Sequence, residues 1–129
     1  MKIFFGNMVA LLAMAVLSGC GSGGGGLLTP NEFNAHLNAT TQIQLVDVRT
    51  PEEYAEGYIE GAVNINFNAA DFDVQIQSQT QSMAVYVYCR SGGRSAAAAK
   101  QMSEMGFTQV YDLEGGFLNW QENNLQVIK

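Results

Sequence analysis

The chain has 129 residues, of which 47% are hydrophobic and 14% are charged, a composition typical of one ordinary globular domain and not of a disordered or fibrous protein. Its formal charge of −6 repels phosphate backbones, so we expect no binding to nucleic acid. One histidine and two cysteines without CxxC spacing form no metal-ligand cluster, and we expect neither a metal nor a cofactor.

The N-terminus has the pattern of an export signal. Lys2 precedes the apolar run from Met8 to Leu17, which is too short to cross a bilayer core about 30 Å thick as a helix. The residues Leu17-Ser18-Gly19-Cys20 resemble the bacterial lipoprotein box, in which the cysteine is lipidated and becomes the mature N-terminus. We therefore expect residues 1–19 to be a lipoprotein signal peptide and the lipid on Cys20 to hold the protein at a membrane.

The residues that follow Cys20 bear on the location of the protein and on its attachment. Residue 21 is glycine and not aspartate; by analogy with lipoproteins of diderm bacteria, this favours the outer membrane, with the domain facing the periplasm. An ordinary secretory signal with an incidental Cys20 is the alternative. Residues 20–26 are interpreted as the lipidated cysteine and a Gly/Ser tether, and residues 27–129 as a single domain.

One helix-start signal occurs twice in this domain. The segments Thr29-Pro30-Asn31-Glu32 and Thr50-Pro51-Glu52-Glu53 each place a threonine cap before a proline and a glutamate three residues after the cap. The threonine and glutamate form a capping box, and proline is tolerated at the first helical position because its missing N–H would have no partner there. We therefore predict helices that begin at about residues 30 and 51.

The rest of the domain alternates between strand and helix patterns. Branched and aromatic runs predict strands at residues 43–48, 62–66, 83–88 and 110–113, and helices are predicted at about 70–79, 94–105 and 117–123. This alternation predicts an α/β fold with a parallel sheet covered on both faces. Ligands of such sheets bind beyond the carboxyl ends of the strands, where Cys89 and the segment Asp47 to Arg49 both lie.

The segment VYVYCRSGGRSAAAA, Val85 to Ala99, carries the strongest chemical signal. It ends a buried strand at Cys89 and begins a helix near Arg94. The two glycines between them allow the loop to turn successive N–H groups inward as an anion nest, and the helix start adds further free N–H groups. Such surroundings stabilise a thiolate, so the pattern predicts that Cys89 is a nucleophile.

Other interpretations of Cys89 also follow from the residues. A cysteine without partners is commonly a small buried hydrophobic residue. A disulfide would require Cys20, which is not available if it is acylated. A cysteine–histidine hydrolase would use His36, the single histidine, but no group that would orient its ring is evident.

Three segments together resemble the rhodanese-like domain: LVDVRTPEEYAEGYIEGAVNI, VYVYCRSGGRSAAAAKQMSEMGF and VYDLEGGFLNW, in this order. The resemblance covers the chain from Leu27 onward. It implies a five-stranded parallel sheet with helices on both faces, in which Leu27-Leu28 supplies a short first strand. It also implies that Cys89 takes a sulfane sulfur from thiosulfate or a related small anion as a persulfide and passes it to a thiol or cyanide.

The resemblance further implies roles for the loop and for the Asp-Val-Arg segment. The loop N–H groups cradle the sulfur, Arg90 and Ser91 meet an anionic donor, and Arg94 anchors the loop at the helix start. The complete predicted loop is Arg90, Ser91, Gly92, Gly93, Arg94 and Ser95. Asp47 and Arg49 are expected to be supporting residues, Asp47 by bracing the loop and Arg49 by pairing with Glu53.

Two residues depart from the family's usual pattern, since Tyr58 and Glu60 stand where histidine and proline are common. Because of these two residues, the side-chain packing near the site and the choice of sulfur acceptor do not follow from the resemblance. Two other functions are possible on the same fold. A non-catalytic binding module is one, but it would usually have lost Cys89. A phosphatase is the other, but the related phosphatases have five residues between cysteine and arginine where this chain has four. The shorter loop suits a terminal sulfur better than a phosphoryl group with its equatorial oxygens.

Overall fold

The computed structural model describes residues 24–129, in which strands and helices alternate along the chain. The strands are β1 (Gly24–Leu28), β2 (Gln44–Asp47), β3 (Val63–Asn64), β4 (Val85–Tyr88) and β5 (Gln109–Leu113). The helices are α1 (Pro30–Ala39), α2 (Pro51–Glu56), α3 (Phe72–Gln75), α4 (Gly93–Met105) and α5 (Gly116–Glu122), with a 3-10 turn, Ile76–Ser78, after α3. The predicted signal peptide and Cys20 lie outside the described residues.

Both predicted helix starts are confirmed by their capping boxes. At α1 the Thr29 hydroxyl accepts a hydrogen bond from the Glu32 N–H, and the Glu32 carboxylate accepts one from the Thr29 N–H. Thr50 and Glu53 make the same reciprocal pair at α2. Within residues 24–129, no helix combines the length and the apolar character that a membrane crossing requires.

The five strands form one parallel sheet in the order β1-β5-β4-β2-β3, which confirms the predicted fold class. The strand β4 lies in the middle, between β5 and β2, and all four of its residues are buried. Its last residue, Tyr88, is in register with Asp47, the last residue of β2. The loop that begins at Cys89 therefore leaves the carboxyl edge of the sheet at its centre, where α/β folds bind their ligands.

The core has two layers, one on each face of the sheet. On the face covered by α3 and α4, called here the α4 side, the apolar layer includes Val87, Cys89 and Met102. On the face covered by α1 and α5, called here the α1 side, it includes Phe33, Tyr86, Tyr88 and Trp120. Successive residues of β4 point to alternate faces, so Cys89 lies on the α4 side and Tyr88 on the α1 side.

Some element bounds differ from those predicted. The first strand begins at Gly24, so its first three residues fall in the segment predicted as tether. These glycines pair with β5 through the backbone, which requires no side chain and leaves no hydrophobic signal in the sequence. The strand predicted at 62–66 is only Val63–Asn64, and the helix predicted at 70–79 is divided into α3 and the 3-10 turn.

Candidate active site

Cys89 occupies the floor of the loop between β4 and α4. The residue is 1% exposed and belongs to the apolar layer of the α4 side. Its Sγ accepts a hydrogen bond from the Gly92 N–H at 3.0 Å and lies 3.4 Å from the Ser95 Oγ. Ser95 is itself fully buried and also donates to the Gly92 carbonyl. The sulfur is thus held by the loop and by the first turn of α4.

Most of the loop's backbone donors remain available. Gly92 adopts a left-handed conformation, with φ of 111°, which turns its N–H toward the sulfur and favours glycine. Among the described residues, the N–H groups of Arg90, Ser91, Gly93 and Arg94 donate to no protein acceptor. Since α4 begins at Gly93, these groups include the free donors of a helix N-terminus, where anions are stabilised.

The first turn of α5 supports the loop from outside. The Phe117 N–H donates to the Cys89 carbonyl at 2.8 Å, and the Leu118 N–H donates to the Arg90 carbonyl at 3.1 Å. Gly116 passes so close to this segment that a Cβ there would lie 2.6 Å from both carbonyl oxygens. Its φ of 62° is also in the left-handed region, so a residue with a side chain at this position would be strained and would displace the loop.

Arg94 fixes the other end of the loop through a bidentate ion pair. Its guanidinium donates to the two carboxylate oxygens of Glu53 at 2.7 and 3.0 Å. The hydrogen bond from Arg94 is the largest of the effects that lower the pKa of Glu53 from 4.5 to about 2. Because Glu53 also caps α2 with Thr50, one carboxylate joins the starts of α2 and α4.

The Asp-Val-Arg segment makes a different pair from the one predicted. Arg49 donates to both carboxylate oxygens of Asp47, with a shortest distance of 2.6 Å, and to the Gly57 carbonyl. The prediction that Arg49 pairs with Glu53 is therefore wrong. The buried Asp47 carboxylate needs a cation, which Arg49 supplies from two residues away, while Glu53 faces Arg94.

Asp47 thus braces Arg49, which lies on the α1 side of the sheet. The Arg49 guanidinium lies 4.3 Å from the ring centroid of Phe117 and 5.6 Å from that of Tyr88. Since Phe117 donates its N–H to the Cys89 carbonyl and Tyr88 directly precedes Cys89, the pair of Asp47 and Arg49 supports the loop through these two neighbours.

The other residues singled out from the sequence lie away from the sulfur. His36 contacts the Tyr86 hydroxyl at 3.2 Å on the α1 side, so the sheet separates it from Cys89, and this geometry argues against a cysteine–histidine pair. Tyr58 stacks on Tyr54 with ring centroids 4.3 Å apart, and its backbone pairs with Ile128. Glu60 is exposed.

A cleft of about 300 Å³ opens beside the loop on the side of α5. Arg90, which directly follows Cys89 in the sequence, lines this cleft. Phe117 and Leu118 form an apolar part of its wall. The remaining lining residues are Arg49, Glu53, Glu56, Gln121 and Lys129. The cleft therefore combines charged groups of both signs with apolar groups beside the loop.

Most of the chain matches one known protein family. Residues 29–123 match the model of the family described as "Rhodanese-like domain". The chain belongs to the rhodanese-like domain family. Both the loop around Cys89 and the supporting start of α5 lie inside the matched range.

Relatives of this rhodanese-like domain include proteins named as sulfurtransferases. "Thiosulfate sulfurtransferase GlpE" of Shewanella oneidensis is 39% identical over 89 residues, which cover 68% of this chain and 85% of the relative. "Thiosulfate sulfurtransferase 16, chloroplastic" of Arabidopsis thaliana is 39% identical over 90 residues, which cover 62% and 75%. A crystal structure of a rhodanese-like domain protein from Staphylococcus aureus superposes with a TM-score of 0.68 at 29% identity, covering 80% of this chain and 98% of that chain.

Sequence reasoning missed two features of this rhodanese-like site. Glu53 was recognised as a helix cap, but its second bond, to Arg94, joins residues 41 positions apart. The sequence pattern predicts a strand at residues 110–113 and assigns no role to Asp112, although this residue of β5 is 7% exposed. A carboxylate in an otherwise apolar strand was the one available signal for Asp112.

Gly116→Ala should destabilise the domain more than Gly61→Ala does. Both glycines have positive φ, but a Cβ at Gly61 would meet no atom within 4 Å, so that variant isolates the backbone cost of about 1–2 kcal/mol. At Gly116 the collision with the Cys89 and Arg90 carbonyls should add about 1–3 kcal/mol. Urea unfolding of the two variants measures this difference, and equal losses would contradict the close packing of α5 on the loop.

Glu53→Gln should lower the free energy of unfolding at neutral pH, since glutamine keeps the helix cap and removes the ion pair with Arg94. A carboxylate whose pKa is lower in the folded than in the unfolded protein stabilises the fold fully at pH values above its unfolded pKa, near 4.5. This contribution is lost as the pH falls toward the folded pKa of about 2. The deficit of the variant should therefore narrow as the pH falls below about 4.5. Glu52→Gln, an exposed neighbour on the same helix, is the control, and a deficit independent of pH would contradict the ion pair's role.

Proposed function

We propose that this rhodanese-like domain is a sulfurtransferase that carries a sulfane sulfur as a persulfide on Cys89. The observation that supports this most directly is the geometry of the loop. Its Gly92 N–H points at Sγ from 3.0 Å, and four neighbouring N–H groups donate to no protein acceptor within residues 24–129. A loop that directs one N–H at the sulfur and leaves four more unpaired beside it is suited to stabilising sulfur anions.

The first half-reaction uses the thiolate of Cys89 as a nucleophile toward thiosulfate. A bond forms between Sγ and the outer sulfur of thiosulfate, while the sulfur–sulfur bond of thiosulfate breaks. Sulfite leaves with the electron pair of that bond, and the enzyme holds a Cys89 persulfide. The new terminal sulfur carries negative charge, for which the unpaired N–H groups of Arg90, Ser91, Gly93 and Arg94 are donors in the same loop.

The burial of Cys89 favours a donor with a protruding sulfur atom. Because the residue is 1% exposed, the bulk of a donor has to remain outside the loop while its terminal sulfur meets Sγ. Thiosulfate has this shape. The exposed Arg90, in the wall of the cleft, is placed to attract its sulfonate group.

The negative charge of the whole chain does not prevent an anionic donor from binding. The formal charge of −6 is spread over the sequence, and interactions between exposed charges more than about 8 Å apart are largely screened at physiological salt. Arg90 and the loop amides act at shorter range. Of the two carboxylates that line the cleft, Glu53 and Glu56, the first is already paired with Arg94.

The second half-reaction returns Cys89 to its starting state. A nucleophilic acceptor, a thiol or cyanide, attacks the terminal sulfur of the persulfide, and the bond between the two sulfurs breaks. The electron pair stays on Sγ as a thiolate. The relatives named thiosulfate sulfurtransferase support this reaction class for the chain, and the loop of four residues between Cys89 and Arg94 favours it over phosphate hydrolysis.

Thiosulfate should add one sulfur atom to the protein, and Cys89→Ser should abolish both this addition and the transfer of sulfur to cyanide. Intact-protein mass spectrometry measures the gain, which a thiol reductant should remove, and thiocyanate formation measures transfer. Ser103→Ala, at an exposed position near the far end of α4, is the control that keeps the nucleophile and the loop. Hydrolysis of aryl phosphates without any gain of sulfur would contradict the proposal.

We also propose that the protein is exported and anchored to a membrane, facing the periplasm from the outer membrane, through a lipid on Cys20. The support is the lipoprotein-box pattern Leu17-Ser18-Gly19-Cys20 after a short apolar run, with glycine at position 21. The anchor would keep the sulfurtransferase domain near the membrane surface. Its donor and acceptor would then be species that reach this compartment.

Cys20→Ala should release the protein from the membrane fraction. Mass spectrometry of the membrane-associated wild type should find a mature chain that begins at Cys20 and carries acyl groups. An unmodified Cys20, or cleavage at another position, would contradict the lipid anchor without affecting the proposal for Cys89.

A further inference from the structure

The folded domain begins closer to Cys20 than the sequence predicts. The strand β1 starts at Gly24, which pairs with Gln109, the first residue of β5. Three residues separate Gly24 from Cys20 in the sequence. Because an extended chain spans at most about 3.6 Å per residue, the α-carbons of Cys20 and Gly24 are no more than about 14 Å apart, whatever path the chain takes between them.

This short connection enters the sheet at its amino edge, the edge at which the parallel strands begin. Cys89 follows the last residue of β4 and therefore lies at the opposite, carboxyl edge. A domain of about 100 residues has a radius of gyration of about 13 Å, so it is about 30 Å across. A connection of about 14 Å cannot reach around such a domain. An anchor on Cys20 would therefore hold the amino edge, and not the Cys89 loop, close to a membrane.

The central part of the amino edge carries no charge. Three segments, called here the entry segments, lead into β2, β4 and β5, and they contain no acidic or basic residue. They are residues 40–43, 79–84 and 106–108. Their exposed side chains include Thr41, Gln42 and Ser82, which are neutral hydrogen-bonding groups. Such a surface can approach anionic lipid headgroups without the repulsion that carboxylates would meet there.

Hydrogen bonds join the entry segments to one another. The Thr80 N–H donates to the side-chain oxygen of Gln44 at 2.6 Å, and the Gln44 side-chain amide donates to the Thr80 carbonyl at 3.0 Å. The Thr108 N–H and hydroxyl both donate to the Gln81 carbonyl, at 3.0 and 3.1 Å. The starts of β2, β4 and β5 thus present one connected neutral surface.

Most exposed acidic residues lie toward the carboxyl edge. Each helix of this fold that follows a strand begins at that edge, and exposed acids lie in or beside the first turns of four of the helices. They are Glu32, Glu52, Asp71, Asp73 and Glu114. Three exposed glutamates lie outside both this group and the entry segments: Glu60 precedes the edge strand β3, Glu104 is near the end of α4, and Glu122 ends α5. The negative charge is therefore greater at the edge that carries Cys89.

We propose that the amino edge of the sheet is the surface that faces the phospholipid headgroups, and this inference rests on the proposed lipid on Cys20. The short connection brings this edge to the membrane, and the neutral entry segments contact the headgroups. The more acidic carboxyl edge is repelled by anionic lipids. The contact is polar and leaves the domain outside the hydrocarbon core.

This orientation limits the substrates that can meet Cys89. The loop at the carboxyl edge opens toward the aqueous compartment, about the width of the domain away from the bilayer. The sulfur donor and the acceptor of the proposed reaction are then water-soluble species and not molecules that remain dissolved in the lipid. Arg90 and the cleft beside the loop receive them from solution.

Paramagnetic broadening of amide signals tests the orientation without requiring sulfur transfer. The ¹⁵N-labelled protein, isolated with its lipid, is placed in nanodiscs of phosphatidylcholine and phosphatidylglycerol that contain a lipid with a gadolinium chelate on its headgroup. Gadolinium broadens the signals of amides near the headgroups. The entry segments should lose most of their intensity, whereas residues 91–94 should keep theirs. Equal losses at the two edges, or a greater loss at residues 91–94, would overturn the proposal.

A second arm decides the orientation even if cells do not attach a lipid. In a chain that begins at Cys20 and carries Cys89→Ser, Cys20 is the single thiol and can be coupled to a maleimide lipid in the same nanodiscs. This chain should show the same pattern of broadening, and its reversal would overturn the proposal. An unmodified Cys20 in the isolated protein, seen by mass spectrometry, would contradict the lipid anchor separately, and absent sulfur transfer would leave the orientation unaffected.

Charge variants test the contact of the entry segments with the lipid. Thr41→Glu combined with Ser82→Glu adds two carboxylates to this surface and should reduce the broadening of the entry segments. Asn31→Glu combined with Asn68→Glu adds the same charge at exposed positions after β1 and β3, toward the carboxyl edge, and should leave the broadening unchanged. If both pairs keep the wild-type pattern, the connection alone sets the orientation, and the assignment of the entry segments as the lipid-facing surface is overturned.

Discussion

The burial of the Cys89 sulfur is the constraint on which the rest of the site depends. The sulfur lies in an apolar layer with Val87 and Met102, where an anion without hydrogen bonds would be costly. The sulfur transfer that we propose nevertheless requires the sulfur to become an anion. The loop meets this requirement with backbone N–H groups, which stabilise negative charge without adding a mobile cation beside it.

These backbone donors keep their positions only if the loop keeps its shape, and three contacts hold the loop. The ion pair between Arg94 and Glu53 fixes the start of α4 to that of α2. The first N–H groups of α5 bind the Cys89 and Arg90 carbonyls from the other side. Arg49, neutralising the buried Asp47, packs on Phe117 and so supports α5. These contacts explain why segments far apart in the sequence all bear on one sulfur atom.

The sequence was sufficient for the features that depend on local patterns. Thr29 and Thr50 marked two helix starts, and the apolar run before Cys89 marked the central strand, because caps and strands are encoded by neighbouring residues. Partners that depend on the fold could not be read in this way. Arg49 had two nearby carboxylates, and only the folded chain brings the start of α2 to the start of α4, where Glu53 meets Arg94. The position of Asp112 likewise follows from which face of β5 meets α4.

The central claim is that the loop amides hold the sulfur anion. Two-dimensional ¹⁵N–¹H spectra of the uniformly labelled domain, recorded before and after loading with thiosulfate, test this most directly. We expect the amide protons of residues 90–94 to move downfield on loading, as new hydrogen bonds to the terminal sulfur form, and to return when cyanide removes it. Loaded protein, verified by mass, in which these amide signals do not move would contradict the account.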